Sequence, residues 1–348
     1  MILKKTPKLD SVFFSNNEIE LHIESELGKN HFFEVEILVN DVVFDTQSWA
    51  KINNVDCFIN LRGQFNNIFT NIFSAPTVIE IVKNENLFKK INVIVKEYHV
   101  DSLLIVSTEQ LPDFYILQNT TANTFDASET IQLFSELNNL NKIDESSIIS
   151  IPIWINTTPV SFKIKDNNGL EMFASSEATT KGLYEFKIPI SEINTAGLLF
   201  ITVIINDVIE LVYYLKDHFR YDKNQLAIRN VYGFFEFVSF FGKISIEPKY
   251  KRVVKENYKD VKSIVEENHD IDYKINTGYL SEVQRDSVDA LNKSKESYFF
   301  EDAVFKKVLI TTPKALLKET DVFAANNTIS FEYNHINTVD ETTKYNVL

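Results

Sequence analysis

Six histidines, at 22, 31, 99, 218, 269 and 335, and one cysteine, Cys57, are the side chains of this sequence best suited to hold a transition metal. No two histidines stand four apart, the spacing that puts two imidazoles on one helical face, and one thiol builds neither a thiolate cluster nor an internal disulfide. Solvated or strand-face histidines are therefore expected. Phosphate chemistry has no carrier either. There is no G-x-x-x-x-G-K-[ST] loop, no G-x-G-x-x-G and no G-x-S-x-G, and 8 glycines leave little backbone free to cradle a phosphate. Asp166-Asn167-Asn168-Gly169 has the look of a calcium loop, but the glycine comes too early and Glu171 is misplaced, so a hairpin turn is expected. Carboxylates are plentiful, yet no spacing singles out a glycosidase pair. The sequence predicts no catalytic residue, no cofactor and no metal.

Charge narrows the partners. With 35 basic and 49 acidic residues the net charge is −14, which opposes attraction to phosphate backbones or anionic lipid, so nucleic acid is not an expected partner. Against this background residues 243–262 hold seven basic and three acidic side chains. Such a run could face DNA, an acidic subunit surface or lipopolysaccharide; the plainer and favoured reading is a solvated face of a charged strand pair. The most apolar stretch, 198–215, is interrupted by Asn206, Asp207 and Glu210, which suits a buried hairpin and not a membrane span. Residues 1–10 carry Lys4, Lys5 and Lys8 without an apolar segment, so no secretory signal is expected and folding in a reducing cytoplasm is.

The elements that must position these residues are mostly strands. The 28 Phe and 14 Tyr, with Ile, Val and Leu as the other main apolar types, favour pleated half-buried surfaces. Phe33, Val35, Ile37 and Val39 alternate with Glu34 and Glu36 and lead into Asn40-Asp41, a pair that tolerates positive φ in a two-residue hairpin. Residues 11–98 read as a small antiparallel β-sandwich whose last hairpin is 78–98. The order of hairpin, strand, short helical turn and final hairpin recurs over about 150–217, which predicts a duplicated sandwich. Between the copies, Asp126 and Glu129 at capping-box spacing, with Leu133, Phe134, Leu137 and Leu140 on one face, predict a helix over 126–140. Ser281 and Gln284 open a second helix reaching Lys295, followed by strands at 298–300, 305–311 and 328–333. The expected fold is mainly β: two tandem sandwiches of immunoglobulin or fibronectin III type, then an α+β unit with one amphipathic helix on a curved sheet. Expected boundaries are 1–100, 101–217 and 218–348.

Several short motifs resemble a structural protein of the tailed phages and prophages of Bacteroidota. Val12-Phe13-Phe14-Ser15-Asn16-Asn17-Glu18-Ile19 is similar to the family's entry into its first sandwich. Asn230-Val231-Tyr232-Gly233 ahead of Phe234-Phe235-Glu236-Phe237 resembles an N-x-x-G turn before aromatic strands. Thr277-Gly278-Tyr279-Leu280, the helix from Ser281, Leu291-Asn292-Lys293-Ser294-Lys295, Tyr298-Phe299-Phe300 and Phe331-Glu332-Tyr333 follow in the family's order. The chain departs from it in having Phe234 for the turn's second glycine and Ile228 near the usual tryptophan. The resemblance implies a non-enzymatic component of a tail tip or baseplate, located in the virion tail, assembling as a closed ring and contacting other tail proteins without entering a membrane. Tyr232, Phe234, Phe235, Phe237 and Tyr279 are the candidate residues for a subunit interface or the core beneath it. A receptor- or carbohydrate-binding module built from tandem sandwiches is the alternative, with Trp49 and Trp154 as its only tryptophans.

Overall fold

The computed structural model describes residues 1–25, 27, 30–50, 56–120, 131–137, 139–156, 159–177, 180–215, 223–256, 262–312 and 325–333, with side chains outside the description at 177, 249–256, 262–270, 279, 282–283 and 325–326. The first unit comprises β1 (Ile2–Lys5), β2 (Val12–Phe14), β3 (Glu20–Glu24), β4 (His31–Val39), β5 (Val42–Ala50) and β6 (Asp56–Asn60). After β7 (Glu80–Lys83) it adds β8 (Phe88–His99), β9 (Ile105–Gln110) and β10 (Phe114–Leu117). One sheet runs β1-β3-β6 and faces a second, β2-β10-β8-β4-β5, with β9 also on β8. Alternation dictates the faces: Phe33, Val35 and Ile37 are fully buried while Glu34 and Glu36 face outward toward Tyr98 and Lys96. Asn40 and Asp41 both take positive φ, closing the β4–β5 hairpin as its sequence predicts.

The second unit comprises β11 (Ile131–Leu133), β12 (Lys142–Ile143), β13 (Ile148–Ile155), β14 (Val160–Asp166), β15 (Glu171–Glu177), β16 (Gly182–Pro189), β17 (Phe200–Ile205) and β18 (Ile209–Leu215). Its sheets run β11-β13-β16-β7 and β12-β18-β17-β14-β15. Apart from β9, which has no counterpart here, and the added β7, the strand order repeats that of the first unit. Even the one parallel pairing recurs, β2 on β10 in the first and β12 on β18 in the second. Tandem antiparallel sandwiches are thus the architecture of the first two thirds.

Three expectations of detail are corrected. The predicted helix at 126–140 is not one in its described part: Ile131–Leu133 is a strand on β13, and residues 121–130 lie outside the description. Its apolar residues do not share a face, because Phe134 enters the first core while Leu137 and Leu140 enter the third unit's core. The hairpin expected at 78–98 does not form either. β7 leaves the first unit and extends the free edge of β16, whose other edge β13 occupies. A boundary at residue 100 is likewise crossed, since β9 and β10 belong to the first unit's sheet.

The third unit is a seven-stranded sheet ordered β20-β19-β23-β24-β25-β22-β21. Its members are β19 (Asn224–Arg229), β20 (Phe235–Phe240), β21 (Ile244–Glu256), β22 (Lys262–Leu280), β23 (Ser297–Glu301), β24 (Val304–Ile310) and β25 (Ala325–Tyr333). Only residues 241–243 join β20 to β21, the two ends of that order, so the sheet must curl until its ends meet. Gly242 makes the closure possible: a Cβ there would stand 2.0 Å from the Asn276 carbonyl oxygen. The helix α1 (Glu282–Lys293) starts as its capping box predicts, with Gln284 N–H on Ser281 Oγ and Gln284 Oε1 accepting from Ser281 N–H. Ser281→Ala is expected to lower stability by about 1 kcal/mol, read from the shift of the denaturant midpoint at constant slope.

Candidate interaction site at the junction of the units

The three units meet around the turn that leaves β19. Asn230 Oδ1 accepts from the N–H groups of Tyr232 and Phe234, both at 3.0 Å, and Gly233 N–H returns to the Asn230 carbonyl. Gly233 has φ +87°, and a Cβ on it would meet Gln118 Oε1 at 2.4 Å, so glycine is required here. The Asn230 amide then donates to the Phe134 carbonyl at 2.9 Å and to Glu236 Oε1 at 2.5 Å. Glu236, 1% exposed, also accepts from Ser135 Oγ and from the N–H groups of Glu136 and Leu137. In return Glu136 Oε2 accepts from Val231 N–H. One buried carboxylate thus fixes the linker 135–137 against the third unit. Burial pushes the Glu236 carboxyl up to about 7, against the downward pull of its four donors. Burial raises Glu136 as well, partly offset by Val231 N–H.

Phe234, Phe235 and Phe237 are core within the single chain, and Tyr232 is half-buried against it. Phe234 is fully buried among the first sandwich's core, and Tyr232 packs on Phe14 and Phe134 with ring centroids 5.7 and 4.7 Å away. Phe235 and Phe237, 4% and 8% exposed, lie on the opposite face of β20 from Val238 and Phe240 and meet Phe73, Tyr298 and Phe305. Both faces of this strand are covered, as phenylalanine on both predicts. Tyr279 is placed by its backbone in β22 opposite Asn326; its side chain lies outside the description. Phe235→Asp is expected to lose about 4 kcal/mol or more, because it puts a carboxylate among aromatic rings, whereas Phe235→Leu should cost less than about 1.5 kcal/mol. Equilibrium denaturation of the two variants checks this; equal effects would place the side chain at a surface.

Other sequence candidates fall into structural roles. Asp166 Oδ1 accepts from Asn168 and Leu170 N–H, both at 2.8 Å, so its carboxylate serves the hairpin turn. The register of β4 and β8 sets His31 beside His99, ring centroids 4.9 Å apart, a pairing no local spacing could reveal. Among the described residues no three His, Cys, Asp or Glu converge as a metal site would require. Cys57 is buried and its thiol pushed up to about 11, which keeps it protonated. Trp154 is fully buried in the first sandwich's core. Among the described residues no helix is long and apolar enough to cross a membrane.

Two surface features remain. A cleft of about 320 Å³ opens at the junction, lined by residues that include Asn66, Asn67, Gln118, Arg229 and Lys295. The other is a ribbon. β21 and β22 pair from Ile244–Ile275 out to Glu256–Lys262, but β25 covers β22 only from Tyr273 to Leu280. Beyond that point, among the described residues, no third strand joins the pair, which continues for about 30 Å at about 3.3 Å per residue. The basic run of 243–262 therefore stands opposite an acidic return strand: Lys249 faces Asp270 and Arg252 faces Glu267 in register. Residues 243–274 carry eight basic and seven acidic side chains, so the apparent basic patch is nearly neutral once paired.

No protein-family model matches this chain, and no curated protein matches it. Among solved structures it is similar to a crystal structure of the I9-I11 tandem from titin, at 13% identity and a TM-score of 0.17. The match covers 61% of this chain and 64% of that one, so less than two thirds of the titin tandem is spanned.

Proposed function

We propose that this chain is a non-enzymatic structural component of a phage tail tip or baseplate, or of a related injection particle. It assembles as a closed ring in the virion tail and connects neighbouring tail proteins. The observation that carries the reading is the ribbon beyond β25. A pair of strands is marginally stable in water on its own, and among the described residues this one has two unpaired edges, so a ribbon of this length suits a contact between molecules. The buried junction supports it too, because a ring subunit must hold its units at fixed angles for the rotation to close. The motif resemblance at both ends of the chain supplies the setting. Electron microscopy of the purified full-length protein should show rings of one order. A monodisperse monomer at every concentration in light scattering would refute the reading.

The junction cleft favours a second reading, a module that binds a polar ligand such as a saccharide, since its amides and two cations offer hydrogen bonds at a boundary between units. Saturable glycan binding lost in Asn67→Ala, with no rings, would select it.

A further inference from the structure

The two edges of the ribbon carry opposite charge. Over 249–256, β21 holds Lys249, Lys251, Arg252 and Lys255 against Glu256, a net of +3. Over 262–270, β22 holds Glu266, Glu267 and Asp270 against Lys262, a net of −2. Among the described residues β21 is the last strand of its sheet, and none but β21 pairs with β22 along this stretch, so within the described structure each strand presents one open backbone edge. Charge on an edge strand commonly serves to prevent pairing. Prevention is best served by one sign on both edges, so that every edge repels every other. Opposite signs do something else: they oppose β21 against β21 and β22 against β22, and they favour β21 against β22.

We infer that the ribbon of one copy adds edge to edge onto the ribbon of the next, the basic edge β21 of one seated against the acidic distal edge β22 of its neighbour. This rests on the ring reading above and names its contact. The occupant is a second copy because this chain carries both complementary edges. A pairing of unlike edges is heterologous, which generates rings when the rotation closes, whereas like-edge pairing would stop at a two-fold dimer. Strand direction agrees. β21 and β22 run antiparallel, so placing the next β21 beside β22 with the ribbons pointing the same way continues an antiparallel ladder without a break. Copies that each carry −14 repel at a distance, so association needs this local match, and raised salt should weaken it.

Three variants of the full chain test the inference by light scattering. In the first, residues 249–270 are replaced by Asn-Gly, joining Pro248 to Ile271, which stand opposite in register. It should melt within a few degrees of the parent and self-associate about tenfold or more weakly, equivalent to about 1.4 kcal/mol or more. The second carries Lys249→Glu, Lys251→Glu, Arg252→Glu and Lys255→Glu; the third carries Glu266→Lys, Glu267→Lys and Asp270→Lys. Each alone should fail to assemble, and an equimolar mixture should assemble again, since acidic ribbons then alternate with basic ones. A ribbonless chain that keeps the parent oligomer overturns the inference and leaves the ring reading standing. A parent chain that is monomeric throughout overturns both. Charge-reversed chains that assemble alone as the parent does also overturn the inference.

Discussion

Replacing Glu236 by alanine is expected to remove about 3–5 kcal/mol of stability, because it takes the acceptor from one N–H of the Asn230 amide, from the half-buried Ser135 hydroxyl and from the N–H groups of Glu136 and Leu137. The loss should centre on the junction. Hydrogen exchange at residues 134–137 and 230–236 should accelerate while the strand cores of β4 and β8 keep their protection. Uniform acceleration would show that the cradle does not couple the units locally. The same residue sets a pH dependence. An unfolded glutamate gives up its proton near 4.5, whereas folded Glu236 keeps it until about 7. With the folded value raised, the folded state binds the extra proton between these limits, so this contribution is complete below about 4.5 and lost as pH rises through 7. The difference is on the order of 3 kcal/mol. Parent and Glu236→Gln chains, melted in parallel from pH 4 to 8, should show a downward slope in the parent that is flatter in the variant; identical slopes would remove Glu236 as its source.

A chain ending at residue 217 is expected not to fold as two intact sandwiches, although sequence reasoning suggests a clean break there. The first sandwich's core contains Phe234, fully buried, and Tyr232 caps it against Phe14 and Phe134. Removing a buried phenylalanine alone costs about 3–5 kcal/mol, and this truncation also takes away the Glu236 cradle and the Ser239 contact to Ser147. Together these approach the whole stability of an ordinary domain. The truncated chain should bind a hydrophobic dye and lose near-ultraviolet circular dichroism. A cooperative unfolding transition matching that of the full chain would show the two sandwiches to be self-sufficient.

Local order of residue types determined a good deal of this molecule. Period-two alternation at Phe33, Val35 and Ile37 and at Phe162 and Ile164 fixed strands and their buried faces, because side chains on a strand alternate whatever lies beyond it. Asn40-Asp41 and Asn206-Asp207 fixed two hairpins, since both residues of each turn must take positive φ. Ser281 and Gln284 fixed the start of α1, because a capping box is satisfied within four residues. The repeat of strand order came through in part for the same reason, but its last hairpin in the first copy, expected at 78–98, is replaced by the pairing of β8 with β10. Tertiary structure decided what local pattern cannot hold. Phe134, Leu137 and Leu140 have helical spacing but enter two different cores, so three-dimensional packing overrode their periodicity. β7 alternates like its neighbours, yet which sheet it joins depended on the free edge of β16, some hundred residues away. The basic run of β21 is a patch in sequence and half of a nearly neutral ribbon in space, because register brought an acidic strand beside it. Glu236 reads as one more strand carboxylate between two phenylalanines; only the arrival of residues 135–137 at its side surrounds it with donors and buries it, and that long-range meeting makes it the lock of the junction.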